Sequence, residues 1–119
     1  MKFKVSLAIL LTLGILFSTV TFARTHFESF VIVNRTGKDI KAIYLSPNDA
    51  NQWKRYYAPY GEIIENGDSA DIDFDGDSRV RFWDLRCTFT NGRSETYDGV
   101  EIFDGVRITL RRNGDFSIR

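Results

Sequence analysis

Four aspartates at alternate positions, Asp71, Asp73, Asp75 and Asp77, with Gly76 between the last two, reproduce the opening of an EF-hand calcium loop. In such a loop alternate oxygens and a glycine turn wrap a hard cation, and the twelfth position closes the shell with a bidentate carboxylate. Here the twelfth position is Phe82. Ile72 and Phe74 separate the acids as the inward face of a strand would. The spacing therefore reads first as the wet side of a strand running into an Asp-Gly turn. The alternative is a weak calcium site on Asp71, Asp73, Asp75 and Asp77, because carboxylates this close repel one another and a bound cation relieves that repulsion.

A second constellation is Trp53-Lys54-Arg55-Tyr56-Tyr57-Ala58-Pro59-Tyr60. Trp, Tyr and Arg are the residue types enriched in interface hot spots, and aromatic faces also stack on sugars. Trp53, Arg55, Tyr56, Tyr57 and Tyr60 are the candidate binding residues. The competing reading folds two or three of these rings inward to cap a thin core. In Trp83-Asp84-Leu85-Arg86, Asp84 and Arg86 fall on the same side of a strand, where they pair with each other or with charges on a neighbour.

Catalytic groups are scarce. His26 is the single histidine, so neither a histidine metal cluster nor a nucleophile–histidine pair can be assembled. Cys87, the single cysteine, falls on an expected core face, where a thiol behaves as a small hydrophobe. The expectation is a protein without enzymatic activity and without a cofactor, calcium excepted.

These residues need a scaffold, and the punctuation of the chain supplies its class. Asn66-Gly67, Asp75-Gly76, Asn91-Gly92, Asp98-Gly99, Asp104-Gly105 and Asn113-Gly114 are pairs that tolerate the positive φ of tight turns, and short alternating apolar runs separate most of them. Strands are expected over 27–35, 39–45, 69–75, 79–90, 93–97, 100–103, 106–111 and 115–118. The first two form a hairpin through Thr36-Gly37-Lys38. Trp83, Leu85, Cys87 and Phe89 face the core, as do Val106, Ile108 and Leu110, with Phe116 and Ile118 closing the end. Ser46-Pro47-Asn48-Asp49 has the spacing of a helix start, so one short helical turn is expected near 47–53, followed by a loop over 54–65. Seven or eight short strands make an all-β domain, a small antiparallel β-sandwich or barrel, because a lone sheet leaves one apolar face wet.

The start of the chain carries an address. Lys2 and Lys4 precede an uncharged, mostly apolar run over 5–17 and small residues ending at Ala23. That is the order of a secretory signal peptide, with residues 1–23 removed and 24–119 left as a single domain, secreted or periplasmic and not inserted in a membrane. The run is shorter than the ~20 residues a spanning helix needs. One cysteine allows no internal disulfide, which suits a bacterial exported domain held together by packing. Acidic and basic side chains balance at 16 each, leaving no electrostatic footprint for nucleic acid. Asn34-Arg35-Thr36 matches a glycosylation acceptor and reads more simply as a turn.

Asn34-x-Thr36-Gly37, Ile43-Tyr44-Leu45-Ser46-Pro47, Trp53, Gly67-Asp68-Ser69 before Ile72-x-Phe74, Trp83-Asp84-Leu85 and Arg107-Ile108-Thr109-Leu110 occur in that order. This order resembles a group of small secreted bacterial proteins of unassigned function. The resemblance implies export and an all-β fold and carries no activity with it. Members often place cysteines where this chain has Arg81 and Phe103, so their disulfide is not expected here. They also carry a Gly- and Leu-containing segment in place of residues 54–60, which points to that segment as the seat of individual function. The expected function is thus an exported, monomeric binding or structural module that recognises a protein or an envelope glycan through its aromatic and basic loop. The alternatives are a calcium-dependent structural or adhesion module and an inhibitor of a hydrolase.

Overall fold

A computed structural model describes residues 28–56, 62–77 and 79–119. Eight strands are laid out in chain order: β1 (Glu28–Asn34), β2 (Ile40–Pro47), β3 (Lys54–Tyr56), β4 (Ser69–Phe74), β5 (Phe82–Phe89), β6 (Ser94–Glu101), β7 (Arg107–Leu110) and β8 (Phe116–Ile118). They form two four-stranded sheets, ordered β4-β1-β7-β8 and β3-β2-β5-β6, which pack as a small sandwich. The alternation read from the sequence holds where it was sharpest. Trp83, Leu85, Cys87 and Phe89 are buried, as are Val106, Ile108 and Leu110.

Phe74 joins the two layers. Its ring meets Phe30 of its own sheet edge-on at 5.8 Å, and Trp83 and Tyr56 of the opposite sheet at 5.0 and 5.4 Å. Gly76 turns the chain directly over this ring, and a Cβ there would run into Phe74.

The pairing of the strands departs from the expected hairpin. β1 pairs with β4 antiparallel and with β7 in parallel, while β2 lies in the other sheet. The sandwich is therefore antiparallel apart from one pair. Asn34 fastens the turn at which the chain crosses. Its buried amide donates to the carbonyls of Lys38 (2.7 Å) and Ile64 (2.9 Å), and its Oδ1 accepts from the backbone N–H and hydroxyl of Thr36. These bonds close the turn after β1, while the backbone of Asn34 and Arg35 pairs with Asp68, Gly67 and Leu110 rather than with β2. Gly37, at φ 88°, completes the turn beneath Arg112. With its nitrogen held by two carbonyls and no surface exposed, Asn34 is a structural residue rather than a glycan acceptor.

Residues 48–50 form a turn instead of a helix. The Ala50 N–H reaches back to the Pro47 carbonyl, but Asp49 and Asn51 adopt left-handed φ values of 63° and 54°. Ser46 accepts from the Gln52 N–H rather than capping a first turn. The one short helix among the described residues is a 3-10 turn at Arg112–Gly114. Part of the expected loop over 54–65 is strand, since Arg55 pairs with Tyr44 and Ile64 bridges to Ile40. The two strands expected over 93–97 and 100–103 are one, β6. Asp98-Gly99 is a bulge inside it, with Trp83 opposite Val100 but Leu85 opposite Tyr97, and Gly99 at φ 68°. At the far end Phe116 packs edge-on against Tyr97 at 6.4 Å, whereas Ile118, expected to close the core, is 37% exposed.

Cys87 lies wholly inside the second sheet's inner face. Burial, aided by the Glu95 carboxylate, pushes its thiol up to about 12. Only the thiolate is reactive. Native protein at pH 8 is therefore expected to resist iodoacetamide on a timescale in which urea-unfolded protein is fully alkylated. Equal rates in the two states would contradict this placement.

Candidate binding surface on the second sheet

Strand β3 divides the aromatic and basic segment between two sides. Tyr56 sits opposite Ile43 and Lys54 opposite Leu45, both buried positions, so these two side chains turn toward the inner layer. Tyr56 packs on Phe74, and its hydroxyl donates to Asp75 (2.9 Å). Lys54 reaches the same carboxylate at 3.2 Å and lies over the Tyr56 ring. The hydrogen bond from Tyr56, and then that from Lys54, hold Asp75 below the usual carboxylate range, while the Asp75 bond raises Lys54. Tyr56 thus serves as a lid on the core. Tyr57 and Tyr60 lie outside the described residues.

Arg55 and Trp53 belong to the outer side. Register places Arg55 beside Tyr44, Tyr44 beside Arg86 and Arg86 beside Thr96, which makes one row across the four strands. The Arg86 guanidinium lies over the Trp53 ring, 4.1 Å from its centroid, and its Nε donates to Thr96 Oγ1 (3.2 Å). A cation placed on an aromatic face in this way is attracted by the ring quadrupole, by about 0.5–2 kcal/mol according to its desolvation. The indole Nε1–H donates to Asn51 Oδ1 (3.0 Å), so the ring is held at its edge as well as on its face.

The turn that carries Asn51 is held in turn by Asp84. This carboxylate, nearly buried, accepts from Asn48 Nδ2 (2.8 Å), the Asp49 N–H (2.9 Å) and, across the β6 bulge, the Gly99 N–H (3.1 Å). Asp84 and Arg86 therefore do not form the ladder pair expected from their spacing. Asp84 anchors the 48–52 turn, and Arg86 stacks on the tryptophan which that turn presents. Arg86 and Tyr44 are the members of this surface that the sequence did not mark as binding residues; cross-strand register sets Tyr44 between Arg55 and Arg86, and Arg86 reaches the Trp53 ring.

The four acids of the calcium motif are spread apart. Asp71 and Asp73 lie on the outer face of β4. Asp75 is engaged by Lys54 and Tyr56, and Asp77 accepts from Arg79, whose guanidinium draws its carboxyl down to about 2. Among the described residues, no group of three or more His, Cys, Asp or Glu side chains is arranged to hold a metal ion. His26 lies outside the described residues. No described helix is long and apolar enough to cross a membrane.

Comparison with protein-family models and with curated proteins returns no match. Among solved structures, the chain is similar to a protein from Eubacterium rectale determined by NMR. The two are 24% identical over 78% of this chain and 86% of the other, with a TM-score of 0.48.

Proposed function

We propose that this chain is an exported, non-enzymatic binding module whose contact surface is the outer face of β3-β2-β5-β6, and that its partner is a protein. Trp53, Arg86, Tyr44 and Arg55 are the contact residues, with Tyr57 and Tyr60 joining them on the strength of the sequence alone. The observation that supports this reading is the Trp53–Arg86 stack on the solvent side of the sheet, fixed by Asn51 and Thr96. The inner face already has its own aromatic cluster around Phe74, so the core does not require this stack. Trp, Tyr and Arg on a rigid sheet are the anchors that dominate protein interfaces, and holding them in place beforehand reduces the ordering cost of binding. Export rests on the leader-like order of residues 1–23.

The test is affinity capture from bacterial envelope and host extracts, followed by titration of the captured partner. Trp53→Ala/Arg86→Ala removes two anchors, for an expected loss of about 2 kcal/mol or more, roughly thirtyfold in Kd. Circular dichroism of the double variant should be unchanged. A folded variant that binds its partner as tightly as the wild type would remove the proposal.

A further inference from the structure

The opposite face of the sandwich holds a feature that the binding surface does not use. Arg35, Arg107, Arg111 and Arg119 line one groove of about 590 Å³ on the outer side of the first sheet, together with Thr109, Ser117, Val33 and Ile118. Register arranges them as two like-charged pairs. Arg107 and Arg119 exchange both backbone hydrogen bonds across β7 and the end of β8, at 3.3 and 3.0 Å, and so stand directly opposite each other. At the other end the parallel β1–β7 ladder sets Asn34 opposite Leu110, which brings Arg35 beside Arg111. Arg111 lies four positions after Arg107, about 13 Å along a strand. Thr109 and Ser117, themselves partners, occupy the middle.

Like charges directly opposite in a ladder are destabilising. Arg111 is relieved by Asp115 at 3.5 Å and bonded to Ser117. Arg35, Arg107 and Arg119 have no carboxylate partner among the described residues, although the chain as a whole holds as many acids as bases. Guanidinium groups present planar pairs of donors that match oxyanions bidentately. The groove is thus suited to a ligand carrying two anionic groups about 13 Å apart, with hydrogen-bonding groups between them.

We infer that this groove binds an acidic oligosaccharide, its sulfate or carboxylate groups held by the two arginine pairs and its hydroxyls by Thr109 and Ser117. Two observations favour a glycan over other polyanions. No aromatic side chain lines the groove to stack bases, as single-stranded nucleic acid requires. The groove also lies on the face of the sheet, over backbone groups of β1 and β7 that are already engaged in ladders, whereas strand addition by a peptide would use the open edge of β8, which points in the plane of the sheet and not toward the arginine side chains.

The experiment is calorimetric titration at low ionic strength with a heparin-derived hexasaccharide and with its desulfated counterpart, alongside thermal melting. The sulfated probe is expected to bind, to weaken at least about tenfold at physiological salt as screening sets in, and to raise the melting temperature. Arg107→Ala/Arg119→Ala is expected to lose about tenfold or more in affinity and to melt no lower than the wild type without ligand, since it removes a repulsion. Arg107→Lys/Arg119→Lys should retain an intermediate affinity, and Trp53→Ala full affinity. The inference fails if the sulfated probe gives no heat, if the desulfated one binds equally, if the alanine pair binds as the wild type does, or if hexaglutamate or hexathymidylate binds more tightly than the sulfated sugar.

Discussion

Phe74→Ala lowers the unfolding free energy by about 3–5 kcal/mol, the range for deleting a fully packed aromatic ring. The value belongs near the top of that range because Phe74 is the meeting point of three edge-to-face contacts, one within its sheet and two across the sandwich. The neighbours have little freedom to collapse into the vacancy. Trp83 is tied by its Nε1–H to the Val80 carbonyl, and Tyr56 by its hydroxyl to Asp75. A small domain holds about 5–15 kcal/mol in total, so the variant gives up a large share of its stability. Urea unfolding followed by tryptophan fluorescence measures the loss. A cost below about 1 kcal/mol would mean that the two sheets do not meet through this ring.

Asp84→Ala comes next, at about 3 kcal/mol, because it strands donors rather than opening a cavity. The N–H groups of Asp49 and Gly99 and the amide of Asn48 lose a shared acceptor, and hydrogen bonds to a charged group contribute roughly 1.5–3 kcal/mol each before solvent recovers part of the loss. The effect carries a pH signature. Burial pushes the Asp84 carboxyl up, but the bonds from Asp49, Gly99 and Asn48 outweigh it and leave the group below its ordinary value. A carboxyl lowered in the folded state contributes stability that is complete above its unfolded pKa, about 3.9, and is lost as pH falls through the folded value. The gap in stability between wild type and Asp84→Ala should therefore be widest at pH 7 and narrow below about pH 4. A gap that stays constant from pH 7 to pH 3 would show that the carboxylate is not what holds the turn. The same substitution should loosen Trp53, since the turn carries the Asn51 acceptor of its indole.

Much of this architecture is legible residue by residue. The alternation of Trp83, Leu85, Cys87 and Phe89 with polar neighbours is a local property of the chain, and it survives folding because the side-chain period of a strand depends on nothing beyond the strand itself. Partnering is another matter. The parallel docking of β7 on β1, and the placing of β2 in the other sheet, are long-range pairings, and even the turn between β1 and β2 is closed on the carbonyl of Ile64, thirty positions from Asn34. Ser46-Pro47 has the local chemistry of a helix start and ends a strand instead, because Asp84 claims the Asp49 N–H from across the sheet. Asp98-Gly99 has the chemistry of a hairpin turn and makes a bulge, since β5 continues opposite it.

The candidate surface divides along the same line. Trp53 and Arg55 announce themselves by type and crowding in the sequence. Arg86 and Tyr44 enter only through register, and Tyr56 leaves because a strand of three residues alternates its faces like any other. The arginine groove was invisible for the same reason. Arg107 and Arg119 are twelve positions apart, with nothing in their spacing to pair them, until the β7–β8 hairpin sets them side by side.

The most direct test of the proposed binding role is photo-crosslinking in the living cell. A photoreactive phenylalanine analogue is placed at Arg55 or Tyr44 on the outer face of the second sheet, and in parallel at Val31 on the outer face of the first. The first two positions should yield one discrete adduct of the same mass, abolished by Trp53→Ala, and the third should not. Absence of that adduct from both second-sheet positions, or its equal formation from Val31, would contradict the assignment.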